Sequence, residues 1–388
     1  MPQPIHLDHY GSTPLLSEVR QAIVQALEES ANPSSIGQAG QRAKQRLEQA
    51  RRQVAALINA KPSEIYFTSC GTESNNWALR GLLAANKRKG SHLIISAIEH
   101  PSISLVARRL EVDAGIQVSI LPVDRDGVVA PAALKQAMTP QTVLVSIMLA
   151  NGEVGTIEPI QELAAVTHEH GALLHTDAMA AVGHIPVDVR ALGVDTLSLA
   201  ANQFYGPQGV AALFLREGVR ILPLLEGGGQ ETGARSGTEA LPVIVGMGAA
   251  AEIATHQLLE RTTRLVALRD RLRDGLNTRI EGVRLNGSWS SRLPHNLHVC
   301  IDGVSSESLV LGLDQAGIVA GLGSACNAKA MRPSHVLKAM GLTDEQAKGA
   351  LVLSVGEMTT DDEIDRALEV IPGVVNRLRH VTALTARR

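Results

Sequence analysis

Short apolar runs separated by amphipathic stretches make up most of the N-terminal and middle parts of the chain. The runs predict seven β-strands, at Ile65–Ser69, His92–Ser96, Gln117–Pro122, Val143–Leu149, Leu173–Asp177, Thr196–Ala200 and Val210–Arg216. Helical spacing predicts helices at Pro14–Ser30, Gln41–Ile58, Ile103–Ala114, Pro131–Ala137, Ile160–His170 and Val187–Leu192. Repeated strand–helix alternation indicates an α/β fold, with a mainly parallel sheet covered by helices on both faces.

The C-terminal part of the chain has a different order of elements. A long helix is predicted at Leu241–Leu276, followed by strands and helices that fit a smaller α+β domain. We therefore expect a large domain at residues 14–256, and a small domain formed by 1–13 and 257–388. The small domain would carry the loop Gly321–Lys329, which is rich in small residues and which we expect to be mobile.

Five polar residues follow predicted strands, where ligands bind in open α/β sheets. They are Thr72, His100, Asn151, Asp177 and Gln203. Thr72 lies in a glycine-containing turn that opens a helix, which suits a phosphate group but also fits an ordinary helix start. A carboxylate such as Asp177 can pair with a protonated pyridine nitrogen, or it can simply cap a helix.

Composition narrows the classes of function. The chain has 388 residues, 45% hydrophobic and 19% charged, with a net charge of −3. It has neither the basic patch of a nucleic-acid-binding protein nor an apolar run long enough to span a membrane. Its three cysteines lack disulfide-like or metal-like spacing, so we expect a reduced, cytoplasmic setting.

Lysine and cysteine placement adds two observations. No lysine lies between Lys135 and Lys329, so the middle of the chain has no side-chain amine able to form an imine. Cys326 lies among small residues with Lys329 and Arg332 close by, and nearby cations favour a reactive thiolate. Such a cysteine could carry sulfur as a persulfide, whereas a buried, inert cysteine is the simpler alternative.

Together these stretches resemble the cysteine desulfurases, in the aminotransferase class V family of pyridoxal-phosphate (PLP) enzymes of fold type I. The motifs that carry the resemblance are Leu7–Pro14, Asn32–Ser35, Phe67–Asn76, Glu99–Pro101, His175–Ala178, Tyr205–Pro207, Gly227–Glu231, Arg235–Pro242 and Gly323–Cys326. The resemblance implies a homodimer that takes sulfur from L-cysteine onto a loop cysteine. It also implies transfer of that sulfur to an iron–sulfur scaffold or another acceptor.

By the same resemblance, the motif positions have expected roles. Thr72 would hold the cofactor phosphate, as would Thr238 from the partner subunit. His100 would stack on the ring and take part in catalysis, Asn151 would contact a ring oxygen and Asp177 the ring nitrogen. Cys326 would be the persulfide carrier.

The chain departs from the family pattern at the residues that perform the chemistry. Gln203 stands at the position of the Schiff-base lysine, and Asn202 replaces the preceding histidine. The other substitutions are Cys70 for a glycine, Ala180 for a glutamine, Ala200 for a serine and Val352 for the arginine that binds the substrate carboxylate. An amide cannot form an imine, so covalent capture of PLP is not expected.

Three hypotheses follow. The first is a divergent desulfurase-like protein in sulfur transfer or iron–sulfur assembly, without autonomous PLP-dependent desulfuration. The second is an active desulfurase or lyase with non-covalently bound PLP. The third is a pocket remodelled to bind a partner, a metal ion or an iron–sulfur cluster, although no ligand spacing indicates a metal.

Overall fold

The computed structural model describes residues 4–28, 31–322 and 333–385. The strands, in chain order, are β1 (Ile5–Leu7), β2 (Ile65–Thr68), β3 (His92–Ser96), β4 (Gln117–Leu121), β5 (Thr142–Ser146), β6 (Leu173–Asp177), β7 (Thr196–Ala200), β8 (Ala211–Leu215), β9 (Val283–Leu285), β10 (Asn296–Ile301), β11 (Ile318–Ala320) and β12 (Ala350–Ser354). The helices are α1 (Ser17–Glu28), α2 (Gln38–Leu57), α3 (Gly71–Ala85), α4 (Pro101–Ala114), α5 (Pro131–Ala137), α6 (Ile160–Glu169), α7 (Val189–Leu192), α8 (Leu241–Arg279), α9 (Ser306–Gln315), α10 (His335–Ala339), α11 (Asp344–Ala347) and α12 (Asp361–Thr385).

The central sheet has seven strands in the order β2-β8-β7-β6-β5-β3-β4. Its pairings are parallel except those of β8, which runs antiparallel to β2 and β7. Every residue of β3, β5, β7 and β8 is buried, as expected for strands covered on both faces. The prediction of a mainly parallel seven-stranded sheet in an α/β fold of type I is confirmed.

Helices cover the two faces of this sheet because successive strand residues point in opposite directions. In β3, Ile94 packs into a cluster that includes residues of α2 and α8. Its neighbours Leu93 and Ile95 pack into a second cluster, with residues of α3 and α4. Alternating burial of this kind fixes the register of the sheet, since a one-residue slip would exchange the two faces.

A separate hydrophobic cluster lies in the C-terminal part of the chain. It joins β1, α9 and α12 to the three-stranded sheet β12-β10-β9. Helix α8 supplies residues to both regions, with Leu241 and Ile244 in the first and Leu272 and Leu276 in the second. The predicted boundary at residues 256–257 falls between these two sets, and the domain limits stay a prediction.

The structure moves the start of the first helix and adds two short elements to those predicted. Helix α1 begins at Ser17 rather than at Pro14. The preceding segment is held by Thr13, whose backbone N–H bonds to the carbonyl of Asn202 at 2.9 Å. Strand β11 and helix α11 have only three and four residues, and no clear periodic pattern in the sequence indicates them.

Candidate functional site

The polar corner after β7 is held in one conformation by contacts from distant parts of the chain. Ala201–Gln203 form a single 3-10 turn, and Tyr205 then adopts a left-handed backbone conformation with φ of 68°. That conformation costs a residue with a Cβ roughly 1–2 kcal/mol. The N–H of Tyr205 donates to the hydroxyl of Thr13 at 2.6 Å, and its own hydroxyl accepts from the N–H of Glu357 at 2.8 Å. These contacts offset the strain and hold the turn that follows Gln203.

A cavity of about 360 Å³ opens beside this corner. Its walls come from the segments that follow β2, β3, β5, β6 and β7, together with Tyr10 and the start of α10. Five of the predicted site residues line it: Thr72, His100, Asn151, Asp177 and Gln203. The structure therefore brings together residues that are 131 positions apart in the sequence between Thr72 and Gln203.

Of the remaining predicted site residues, only Thr238 is described by the structure. Thr238 lines a smaller cavity of about 100 Å³ with Glu231 and Arg235. A role for Thr238 in a partner subunit's site stays a prediction. Cys326 lies outside the described residues, so its predicted role as persulfide carrier also stays a prediction.

Asp177 ends β6 at the wall of the cavity and is buried. One carboxyl oxygen accepts from the amide of Asn75 at 2.7 Å, and the other accepts from the N–H of Met179 at 3.0 Å. Burial raises the pKa of this carboxyl from its ordinary value, and the two hydrogen bonds and His100 oppose that rise. Asp177 is thus suited to pair with a positively charged group from a ligand.

His100 caps the start of α4 with its own side chain. Its Nδ1 accepts from the N–H of Ser102 at 3.1 Å and lies 2.7 Å from the hydroxyl of the same residue. The Ser102 hydroxyl in turn accepts from Asn75 at 2.8 Å. The imidazole is therefore oriented by a network that also reaches Asp177.

Asn151 is more constrained than the sequence indicates. Its amide donates to the carbonyl of Ile98 at 3.1 Å and to the sulfur of Met148 at 3.4 Å. Its oxygen accepts from the N–H groups of Glu153 and Val154, both at 3.0 Å. Contact with a ring oxygen would compete with these bonds, so Asn151 primarily shapes the turn after β5.

Three buried groups in the cavity wall have polar atoms without a hydrogen-bond partner among the described residues. The atoms are Asn75 Oδ1, Glu99 Oε2 and Glu153 Oε1. Burial raises the pKa of Glu99 to about 8 and that of Glu153 to about 7. Sequence reasoning missed all three as site residues; the position of Glu99 directly before His100 was the available signal for one of them.

Five of the six residues expected to depart from the family pattern belong to the cavity wall. Cys70, Ala180, Ala200, Asn202 and Gln203 all line it. Within the described part of the chain, no lysine or arginine does. Val352 lies in β12, fully buried, and its backbone exchanges two hydrogen bonds of 3.0 Å with Gly321. An apolar residue therefore fills the position expected to hold the substrate arginine.

Two ion pairs tie the glycine-rich loop to the start of α3 and to α2. Arg235 bonds to the carboxylate of Glu73 at 2.8 and 3.2 Å, and Glu73 also accepts from the N–H of Ser69. The guanidinium of Arg51 donates two hydrogen bonds, of 2.7 and 2.8 Å, to the carboxylate of Glu231. Glu231 has φ of 47°, so this bidentate pair holds a strained loop residue in place.

Within residues 4–28, 31–322 and 333–385, no group of three or more histidine, cysteine or acidic residues is arranged to hold a metal ion. No helix of that part of the chain is long and apolar enough to cross a membrane.

Comparison with known proteins assigns the family. The aminotransferase class-V family model matches residues 5–367. Cysteine desulfurase IscS of Methanosarcina thermophila is 44% identical over 99% of this chain and 95% of its own length. Cysteine desulfurase IscS 1 of Archaeoglobus fulgidus is also 44% identical, over 98% of this chain and all of its own length. The chain belongs to the cysteine desulfurase branch of the aminotransferase class-V family.

Solved structures of relatives share this fold. A NifS-like protein is 34% identical and superposes with a TM-score of 0.91, over 97% of this chain and 100% of its own. A NifS-like protein from Rickettsia africae is 29% identical with a TM-score of 0.87, over 96% of this chain and 100% of its own. The predicted family resemblance is confirmed over essentially the whole described chain.

The cavity fits the cofactor of this family only in part. The carboxyl of Asp177 suits a protonated pyridine nitrogen, and the start of α3 with Thr72 suits a phosphate. By contrast, Gln203, which lines the same cavity, carries an amide, and an amide cannot form an imine with the cofactor. The described residues are therefore compatible with a bound ring and phosphate, but not with an imine to the protein.

Proposed function

We propose that this chain is a sulfur-transfer protein of the cysteine desulfurase family that does not itself release sulfur from L-cysteine by PLP chemistry. The observation that supports this proposal is the composition of the cavity at the carboxyl ends of the central strands. Gln203 lines this cavity, and its described lining residues include no lysine or arginine. Desulfuration needs an amine to hold and exchange the cofactor, and a cation to hold the substrate carboxylate. Both are missing there, while the family fold is intact.

The sulfur would be carried on Cys326, which lies outside the described residues. Its thiolate would attack the terminal sulfur of a donor persulfide, the donor's S–S bond would break, and the donor thiolate would leave. The exchange conserves sulfur oxidation state overall, so it needs no added oxidant or cofactor. A homodimer that passes this sulfur to an iron–sulfur scaffold or another acceptor protein is the assembly proposed, by analogy with the desulfurase relatives.

Two assays test this function together. Purified protein with L-cysteine, PLP and a thiol reductant is expected to give no alanine above the protein-free control. The same protein, incubated with an active cysteine desulfurase and L-cysteine, is expected to gain a persulfide that mass spectrometry maps to Cys326. Cys326→Ser should not gain it. Repeated turnover to alanine by the purified chain would contradict the proposal, as would persulfide labelling that persists in the variant.

A second candidate is an active desulfurase or lyase that holds PLP without a covalent bond. One observation favours it: Thr72, His100 and Asp177 line a single cavity and match the expected phosphate, stacking and ring-nitrogen contacts. Here His100 would remain the candidate catalytic residue. The alanine assay separates the two functions, because only the second predicts product when PLP is in excess.

A further inference from the structure

A chain of hydrogen bonds with a defined direction runs along the cavity wall from Asp177 to His100. The side-chain amide nitrogen of Asn75 donates to Asp177 at 2.7 Å and to the hydroxyl of Ser102 at 2.8 Å. Both hydrogens of this amide are then used, so the Ser102 oxygen accepts and its own hydrogen is left for another partner. The next atom within reach is Nδ1 of His100, at 2.7 Å. All four residues line the same cavity.

The backbone of Ser102 determines the role of that ring nitrogen. Its N–H donates to Nδ1 of His100 at 3.1 Å, in the first turn of α4. A backbone N–H can only donate, so Nδ1 is an acceptor whichever way the hydroxyl points. Two donors from one residue thus converge on a single nitrogen. A neutral imidazole that accepts through one nitrogen carries its hydrogen on the other, so the hydrogen of His100 is on Nε2.

This assignment determines what the imidazole can offer to a ligand. His100 is exposed and lines the cavity, and its Nδ1 is already bonded, which leaves the Nε2–H group. To take a proton from a ligand, the ring would have to use Nδ1. A hydrogen on Nδ1 would face the N–H of Ser102, and both bonds to Ser102 would be lost. His100 can therefore donate a hydrogen bond to a ligand, whereas removal of a proton from a ligand is opposed.

We propose that Ser102 is a positioning residue that holds His100 as a hydrogen-bond donor to the cavity and prevents it from acting as a base. The ligand group that meets this imidazole is then an acceptor, such as a thiolate or a carboxylate. The consequence for catalysis rests on the proposed function: removal of a substrate proton needs a base, and Gln203 and Asn202 supply only neutral amides. With His100 confined to donation, neither the corner after β7 nor the imidazole provides that base.

Chemical labelling tests the assignment, because diethyl pyrocarbonate reacts only with an imidazole nitrogen that has a free lone pair. His170 is the internal control, since it is exposed and its Nδ1 lies 2.9 Å from the carbonyl oxygen of Val166. That oxygen can only accept, so the hydrogen is on Nδ1 and the lone pair of Nε2 is open to the reagent. Near neutral pH, we expect peptide mass spectrometry to show His100 reacting about tenfold more slowly than His170, because two hydrogen bonds must first be broken. Equal rates would overturn the proposal.

Variants of Ser102 compare His100 with itself and show whether the hydroxyl is responsible. Ser102→Ala removes one donor to Nδ1 and should increase the labelling rate of His100 about fivefold, without changing that of His170. Ser102→Thr keeps the hydroxyl and should label like the wild type. An unchanged rate in Ser102→Ala, or the same increase in Ser102→Thr, would contradict the assignment.

A spectroscopic measurement decides the matter if Ser102→Ala fails to fold, as shown by circular dichroism. Nitrogen-15 NMR of the histidine-labelled wild type distinguishes the two neutral tautomers, and His100→Gln identifies the resonances of His100. We expect the pattern of a hydrogen on Nε2, and a hydrogen on Nδ1 would overturn the proposal. Both methods read the ring nitrogens directly, so their failure would leave the alanine and persulfide results untouched.

Discussion

The imidazole of His184 donates from Nε2 to the backbone carbonyl of Gln203, at 2.8 Å. This contact joins the loop after β6 to the corner after β7. Nδ1 of the same ring has no partner in the described structure. The ring is also stacked on that of His295, with centroids 3.9 Å apart. The backbone at Gln203 is thus hydrogen-bonded to one member of a buried pair of neutral imidazoles.

The first prediction concerns that support. His184→Ala leaves the carbonyl of Gln203 unpaired and opens a cavity, so we expect the free energy of unfolding to fall by about 2–4 kcal/mol. Urea denaturation measures the change. The control is His256→Ala, an exposed position within α8, which should change stability by no more than about 0.5 kcal/mol. Equal effects of the two substitutions would show that the His184–Gln203 contact contributes nothing.

The second prediction concerns the stability of the fold at acidic pH. Burial lowers the pKa of His184 to about 4, and burial together with His184 and His9 lowers that of His295 well below 6.5. In the unfolded chain both titrate near 6.5, so between that pH and about 4 the unfolded state binds more protons. Stability should therefore decrease as the pH falls below about 6.5. His295→Phe keeps a stacked ring without a titrating group, and urea midpoints from pH 7 to 4.5 should decline less steeply in this variant.

A buried acidic side chain gives the third prediction, in which stability decreases as the pH rises. Burial raises the pKa of Glu158 to about 8, and one of its oxygens accepts from the N–H of Val129 at 2.9 Å. The folded state holds this proton between pH 4.5 and 8, so its contribution to stability is lost as the pH rises through that window. Glu158→Gln cannot ionise, and its stability relative to the wild type should increase by up to ~1.4 kcal/mol per pH unit. Parallel pH profiles of the two proteins would contradict this.

Much of the fold could be predicted because local pattern and tertiary burial agree. The strands buried on both faces have continuous apolar sequences. The predicted first and last residues of β3, β6 and β7 agree with the structure. The shared location of five residues around one cavity could be predicted because each lies at or after the end of a strand, and parallel strands end at one edge of the sheet. Glu99 and Glu153 were missed because an acidic residue becomes unusual only when burial removes its water. The His184–Gln203 contact could not be predicted from local pattern, because it depends on where two loops meet.

A fourth prediction tests the buried ion pair. The guanidinium of Arg51 bonds to both oxygens of Glu231, and to the carbonyl of Ile65 at 2.6 Å. Arg51→Met should destabilise the fold by about 3–5 kcal/mol, because it leaves a buried carboxylate unpaired. The double variant Arg51→Met, Glu231→Gln removes the uncompensated charge and should recover part of that loss. A double-mutant cycle in urea measures the coupling, and additive losses would show that the pair is not energetically linked.

The last prediction uses Cys70, an exposed free cysteine that lines the cavity. Cys300 is buried, and burial raises the pKa of its thiol, so it should resist alkylation until the protein unfolds. In a Cys326→Ser background, iodoacetamide should therefore modify Cys70 alone under native conditions, as mapped by peptide mass spectrometry. Under the second candidate function, saturating PLP should slow this modification, because the ring and phosphate would cover the start of α3. Cys70→Ser in the same background is the negative control for the labelling. Unchanged Cys70 labelling at a saturating concentration of PLP would contradict a phosphate site at this turn.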